Sequence, residues 1–201
     1  MVPTLPYDDA GVRYAVCDPA EVPALTEMLA LTFVTSDPPA VAVGLTPAEF
    51  EAFVALVIAP KATQRLTVVA RDLASGTLAG ALLSEDAATP PPDGLAGLSE
   101  KSDPIFDLFG QLEDQPGQAE AVEAGTVLHL FVLGVDARFG GRGIAQRLVE
   151  AALARGSTMG YKTALTEATN RTSQHIFGKA GFTTRAQASY ADYRRDGVEV
   201  F

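Results

Sequence analysis

The chain has little with which to cross-link itself. Only one of its 201 residues is cysteine, Cys17, so no internal disulfide can form, and in its apolar setting it reads as a small core residue. One thiol and two distant histidines, His129 and His175, cannot make a typical zinc site, so no metal is expected. No apolar run reaches the ~20 residues that span a bilayer. The opening MVPTLPYDDAG has neither the basic nor the apolar part of a signal peptide. A cytoplasmic protein with no membrane partner is therefore expected. Positive charge is scarce as well: 15 Lys and Arg face 25 Asp and Glu, a formal net charge of −10. Such a charge repels phosphate backbones and argues against a nucleic-acid partner. It is compatible with a cationic small-molecule amine, and equally with plain solubility.

The composition is that of a globular domain, 47% apolar and 20% charged. At this length one domain spanning 1–201 can bury roughly 70% of its surface on folding. The organising stretch runs from Val127 to Phe182. Val127 to Val135 is apolar except for His129 and Gly134, which suits a central strand covered on both faces. A short turn, Asp136 to Phe139, leads to Gly140, Gly141, Arg142 and Gly143. Ile144, Leu148, Ala151 and Ala152 then follow at helical spacing. A strand, a glycine-rich turn and a helix start bring free backbone N–H groups and a positive dipole end together, where phosphate binds readily. A second strand is predicted over Lys162 to Glu167, and Asn170 opens another helix.

Upstream, Val12 to Cys17 reads as a first strand. Asp18-Pro19-Ala20-Glu21 and Thr46-Pro47-Ala48-Glu49 are two helix starts, each an N-cap, a proline and a glutamate. They predict helices to about Phe33 and Ile58, separated by a loop from Val34 to Leu45. Arg65 to Arg71 and Thr77 to Ser84 read as a hairpin. The long segment 85–125 contains one helix, predicted over Pro104 to Leu112, and is expected to be a lid or wall over a site, or else disordered in part. Two strands, Thr183 to Tyr193 and Val198 to Phe201, are predicted to end the chain.

These motifs resemble the GCN5-related N-acetyltransferase (GNAT) superfamily. Its V-D-x-x-[FY]-[RQ]-G-x-G-[IV]-[GA] pattern reads here Val135, Asp136, Phe139, Gly140, Gly141, Gly143, Ile144 and Ala145. Its N-x-x-[SA]-x-x-x-[YF]-x-K-x-G-F pattern reads Asn170, Ser173, Phe177, Lys179, Gly181 and Phe182. The loop departs from the pattern where Gly140 replaces Arg or Gln; Arg138 offers an alternative start, but the spacing from Val135 favours the Gly140 frame. The tail, with Ala191, Asp192, Tyr193 and Phe201, resembles the arylalkylamine N-acetyltransferases, as do an acidic residue before a proline in the first inter-helix loop and the long insert. The resemblance implies an α+β fold with a mostly antiparallel sheet of about seven strands, splayed at its centre and flanked by helices. It implies acetyl-CoA as cofactor, held at Leu133, Gly134 and Val135, at Gly140, Gly141, Arg142, Gly143, Ile144 and Ala145, and at Asn170, Ser173 and Phe177. The implied reaction is acetyl transfer to a primary amine.

Three residues are candidates for the chemistry, each with a structural alternative. Asp37 matches the family's acidic loop position and is the first candidate base; Asp-Pro also commonly just caps a turn. His129 should share a strand face with Phe131, Leu133 and Val135, and an ordinary pKa near ~6.5 would suit proton relay. A satisfied core histidine is its alternative. Phe177 stands where the family's tyrosine protonates the leaving thiolate, which makes Ser173, one turn earlier, the hydroxyl to watch unless it only caps the helix. Tyr190 and Tyr193 are further acids that spacing does not single out. Gly134 is expected either to mark a bulge that frees the backbone of Leu133 to Val135 or to be a packing glycine. Two rival readings remain open at this stage, a catalytically silent acyl-CoA-binding module and a dinucleotide-binding segment, and so does assembly into a homodimer.

Overall fold

The computed structural model describes residues 4–58, 64–95, 97–115 and 122–201. Among these, six strands form one sheet in sequence order: β1 (Tyr7–Asp9), β2 (Val12–Val16), β3 (Val68–Asp72), β4 (Leu78–Asp86), β5 (Val127–Val135) and β6 (Thr163–Leu165). All neighbours are antiparallel except β5 and β6. The sheet thus has six strands rather than about seven. β1 is the strand that sequence did not predict: Tyr7-Asp8-Asp9 has no apolar alternation, and the strand is made by a tight turn through Ala10 and Gly11, at φ 48° and 79°.

Both faces of the sheet are covered. On one lie α1 (Val22–Ser36) and α3 (Pro47–Ile58), whose Leu25, Leu29, Phe50 and Val54 pack on Val69, Ala81 and Leu83. On the other, α5 (Ile144–Thr158) and α6 (Arg171–Lys179) place Leu148, Val149, Ala152 and Phe177 on Val68, Leu82, Leu128 and Leu130. Helix starts follow the sequence signals. Asp18 and Glu21 form a capping box on a single 3-10 turn that runs into α1, and the Thr46 N–H donates to Glu49 Oε2 at 2.8 Å ahead of α3. None of the described helices is long and apolar enough to cross a membrane.

Two segments differ from expectation, and between them a third follows it. The predicted loop from Val34 to Leu45 contains the last turn of α1 and a short helix, α2 (Pro38–Ala42), capped by Asp37. In segment 85–125 the predicted helix is present as α4 (Asp103–Glu113), its bounds one residue wider at each end. Among the described residues the tail does not extend the main sheet: residues 183–189 pair with no strand, and β7 (Arg194–Arg195) and β8 (Val198–Glu199) pair only with each other across Asp196 and Gly197. The left-handed φ of those two residues (53° and 79°) closes a two-residue hairpin, and both arginines lie in β7.

A further correction concerns the bulge. Gly134 pairs regularly with Ala81; the register slips instead between Leu83 and Ser84, which oppose Val132 and Leu130, so Phe131 is the extra residue. Gly134 is needed for another reason, since an added Cβ would lie 2.5 Å from Leu29 Cδ2 of α1. The slip at Phe131 also switches faces. Phe131 and Val132 both pack on the α1 and α3 side, whereas Leu133 and Val135 pack on the α5 side. His129 therefore shares its face with Phe131, their rings 5.2 Å apart, but not with Leu133 and Val135 as simple alternation predicts.

Candidate active site

Beside the bulge, β5 and β6 part company. Their parallel pairing ends at His129 and Leu165, and the Thr166 hydroxyl then donates to the Leu130 carbonyl at 2.8 Å. Among the described residues, no strand covers the edge of Val132–Val135 that faces away from β4. The backbone polar groups there are available to an extended ligand, as strand edges are.

The glycine turn lies at the end of this edge. Gly141 and Gly143 have φ of 74° and 75°, and no atom stands within 4 Å of a Cβ added to either. The N–H groups of Gly141 through Gln146 donate to no described residue, because they precede or begin α5. The surrounding cations are committed elsewhere. Arg142 reaches back to Asp72 Oδ1 (3.1 Å) and the Ala10 carbonyl (3.3 Å), and Arg138 grips Asp136 through Nε and an η nitrogen (2.6 to 3.1 Å). What the turn offers an anion is backbone donors and the helix dipole, and Arg142 contributes its N–H rather than its guanidinium.

Next to the parted strands is a cavity of about 140 Å³. Its walls come from the C-terminal end of α1 and Asp37, from α3, from α4, from Leu130–Leu133, from 166–170, and from Ser173 and Phe177 of α6. The insert helix is thus a wall, through Ile105, Phe106 and Phe109. Aromatic rings form its apolar lining: Phe33 stacks on Phe50 at 4.8 Å, Phe50 meets Phe53 at 5.4 Å, and Phe53 lies 6.1 Å from Phe106 and 5.9 Å from Phe131.

Asp37 is inside this cavity, 7% exposed. Its Oδ1 accepts the Thr169 hydroxyl at 2.5 Å and its Oδ2 faces the Ala40 N–H at 3.4 Å, so it caps α2 and lines the cavity at once. Burial pushes its pKa up, against the opposing pull of those two hydrogen bonds. Tyr190 is tied to the same corner: its hydroxyl donates to the Thr169 carbonyl at 2.6 Å, and burial together with the Asp37 charge holds its pKa up at about 12. Tyr193 instead donates to Asp107 on α4 at 3.1 Å.

His129 lies between two carboxylates, Nδ1 3.0 Å from Glu85 Oε1 and Nε2 2.8 Å from Glu167 Oε2. Both ring nitrogens must carry protons to make these bonds to ionised carboxylates. Burial alone would lower its pKa; the bonds to Glu167 and Glu85 outweigh that and raise it to about 9. The residue is an imidazolium at neutral pH, not the ordinary base that its type suggests. A raised folded-state pKa stabilises the fold fully below the unfolded value of ~6.5, and that contribution is lost as pH rises through about 9. The native chain is therefore expected to lose on the order of 3 kcal/mol of stability over this window relative to His129→Gln. Parallel urea-midpoint profiles for the two proteins between pH 6 and pH 9.5 would contradict this.

Ser173 lines the cavity with Phe177, and its hydroxyl belongs to the cap of α6: it donates to the Asn170 carbonyl at 2.9 Å, while Asn170 Oδ1 accepts the Ser173 N–H at 2.9 Å. His175 is exposed. Glu85 and Glu167 are the residues that sequence reasoning did not place beside His129 in an acetyl-transfer site. They lie 44 and 38 residues from His129 in the chain and meet it only through β4–β5 pairing and the stretch after β6. A histidine buried in a strand was the one hint that partners existed.

Residues 94–182 match the Acetyltransferase (GNAT) family, a span that includes both central motifs. Similar solved structures cover nearly the whole chain. The C-terminal condensation domain of Ebony, in complex with beta-alanyl-dopamine, aligns with a TM-score of 0.82 at 14% identity over 94% of this chain and 91% of that one. Arylalkylamine N-acetyltransferase 2 from Aedes aegypti aligns with a TM-score of 0.76 at 23% identity over 94% and 90%. The polyamine N-acetyltransferase of Drosophila melanogaster aligns at 0.70 and 21% identity over 94% and 91%. The motifs, the family match that contains them and the shared fold agree: residues 94–182 match the acetyltransferase (GNAT) family, and the described residues have a fold similar to that of arylalkylamine N-acetyltransferases.

Proposed function

We propose that the chain is an acetyl-CoA-dependent N-acetyltransferase whose acceptor is a primary amine carried on an apolar or aromatic body. The observation that carries this reading is the continuity of three features. An open turn of backbone donors leads along the uncovered edge of β5 into a cavity lined by phenylalanines and carboxylates. Coenzyme A fits the first two. Gly140 to Ala145 would hold its pyrophosphate, the edge at Leu133, Gly134 and Val135 would pair with its pantetheine arm, and Asn170, Ser173 and Phe177 would flank its thiol end. When bound, acetyl-CoA supplies the activated acyl group.

The chain's own residues then handle the acceptor and its protons. An ammonium has no lone pair, so a proton must be removed, and Asp37 is the group assigned to take it. It is buried at the cavity wall, aimed by Thr169, and its raised pKa makes it a better proton acceptor than an exposed aspartate. A backbone N–H of the central strand β5 would polarise the acyl carbonyl. Ser173, on the wall beside Phe177, would hydrogen-bond the leaving thiolate by turning its hydroxyl away from the Asn170 carbonyl. His129 holds Glu167 in place as an imidazolium. The arylalkylamine, agmatine and polyamine N-acetyltransferases of similar fold make an amine acceptor the natural class. The ring-lined cavity favours the arylalkyl kind.

A second reading, a silent acyl-CoA-binding module, is favoured by Phe177 in the place of a proton-donating tyrosine. A turnover screen with acetyl-CoA and a panel of amines (arylalkylamines, agmatine, spermidine) separates the two. The expected result is N-acetylation, fastest with an arylalkylamine. Coenzyme A binding without turnover would establish the silent module, and absence of coenzyme A binding would overturn both.

A further inference from the structure

Three carboxylates line the cavity, and they differ in what they can still offer a ligand. Asp37 has both oxygens engaged, by Thr169 and by the Ala40 N–H. Glu49 is saturated: Oε2 accepts from the Thr46 N–H (2.8 Å), the Thr46 hydroxyl (2.8 Å) and Lys101 Nζ (3.0 Å), and Oε1 accepts from Ser99 (3.2 Å). Its charge is already met by Lys101. Glu167 is different. Its Oε2 accepts from His129 at 2.8 Å, its Oε1 bonds to no described residue, and its side chain is 28% exposed where it lines the cavity.

We infer that Glu167 is the docking group for the acceptor's ammonium, received at Oε1, with His129 acting as the positioning residue that fixes the carboxylate through Oε2. The inference rests on the amine reading given above and adds to it the residue that selects a charged acceptor. A partly buried carboxylate held in one orientation forms a charge-assisted hydrogen bond to an ammonium without first having to be ordered. The rings of Phe53, Phe106 and Phe131 line the same cavity and suit the apolar body of such a ligand. Docking and proton removal are then separate tasks: Glu167 holds the cation, and Asp37 takes the proton.

The test compares 2-phenylethylamine with its uncharged isostere 2-phenylethanol, as dissociation constants measured by calorimetry with coenzyme A present. The native chain is expected to prefer the ammonium by about 10- to 100-fold, the range of a hydrogen bond to a charged group. Glu167→Gln should abolish that preference and leave affinity for the alcohol unchanged. Glu49→Gln, which neutralises a carboxylate already satisfied by protein, should keep the preference. The inference is overturned if the native chain binds the two equally or binds neither, if E167Q still prefers the ammonium, or if E49Q loses the preference as well. Should E167Q fail to fold, E49Q decides: retention supports Glu167, and loss moves the dock to α3. Acetyl transfer is assayed separately, so its absence would count against the activity reading and leave this binding result standing.

Discussion

Gly143→Glu is expected to weaken acetyl-CoA binding by about 100-fold or more, the equivalent of losing one or two charge-assisted hydrogen bonds. Gly143 sits in a left-handed conformation at the N-cap of α5. There is room for a side chain, since no atom lies within 4 Å of its added Cβ, so the damage is not steric crowding within the protein. It has two parts. A non-glycine residue at this φ costs about 1–2 kcal/mol of backbone strain. The larger part is electrostatic: the new carboxylate is drawn to the free N–H groups of Gly141 to Gln146, occupies the donors a pyrophosphate would use, and repels it. Thermal stabilisation by saturating acetyl-CoA, about 2.7 kcal/mol at one hundred times Kd, should vanish in the variant. Gly143→Ala separates the parts, for it brings the strain without the charge and should keep most of the affinity. Equal affinity in G143E and the native chain would remove the turn from the account.

Asp37→Asn is expected to lower kcat by about 100-fold or more, in the range of general-base catalysis. Asparagine still caps α2 and can still accept the Thr169 hydroxyl, so fold and coenzyme A affinity should hold. What it cannot do is take a proton. The native kcat/KM should rise with pH as Asp37 ionises, at a value above the ordinary one for aspartate because burial raises it, and the N variant should lose that limb of the profile. The same shift carries a stability sign. A carboxyl whose pKa is raised on folding favours the native state fully below its unfolded value of 3.8, and that contribution disappears as pH rises through the folded one. D37N should therefore be relatively more stable above this window than below it. Activity within a factor of two of native would dismiss Asp37 as the base.

Parts of this architecture were legible because local chemistry decides them. The Asp18–Glu21 and Thr46–Glu49 pairs announce helix starts through their own hydrogen bonds, and Gly141 and Gly143 announce a backbone that no other residue adopts cheaply. Asp37 could be placed in the first loop, though not as both a cap and a cavity wall, because Thr169 approaches it from 132 residues away. The bulge was misplaced by a few residues for a physical reason. Glycine in a strand signals close approach, but whether backbone or a helix side chain approaches is set by packing, and here Leu29 of α1 does so. Once the slip falls at Phe131, alternation along β5 no longer predicts which side chains share a face, and the grouping of His129 with Leu133 fails with it. The carboxylates that clamp His129 were invisible for the same reason, since register and the splay of β6 bring them together rather than any spacing in the chain.

These residues give the acetyltransferase reading a single spatial claim: coenzyme A lies along the turn and the bare edge of β5. Hydrogen exchange read by mass spectrometry tests it directly. Added coenzyme A should slow exchange in peptides covering residues 131–135 and 141–146, NAD should not, and G143E should lose the effect. Protection that falls elsewhere on the chain, or that NAD produces equally well, would contradict it.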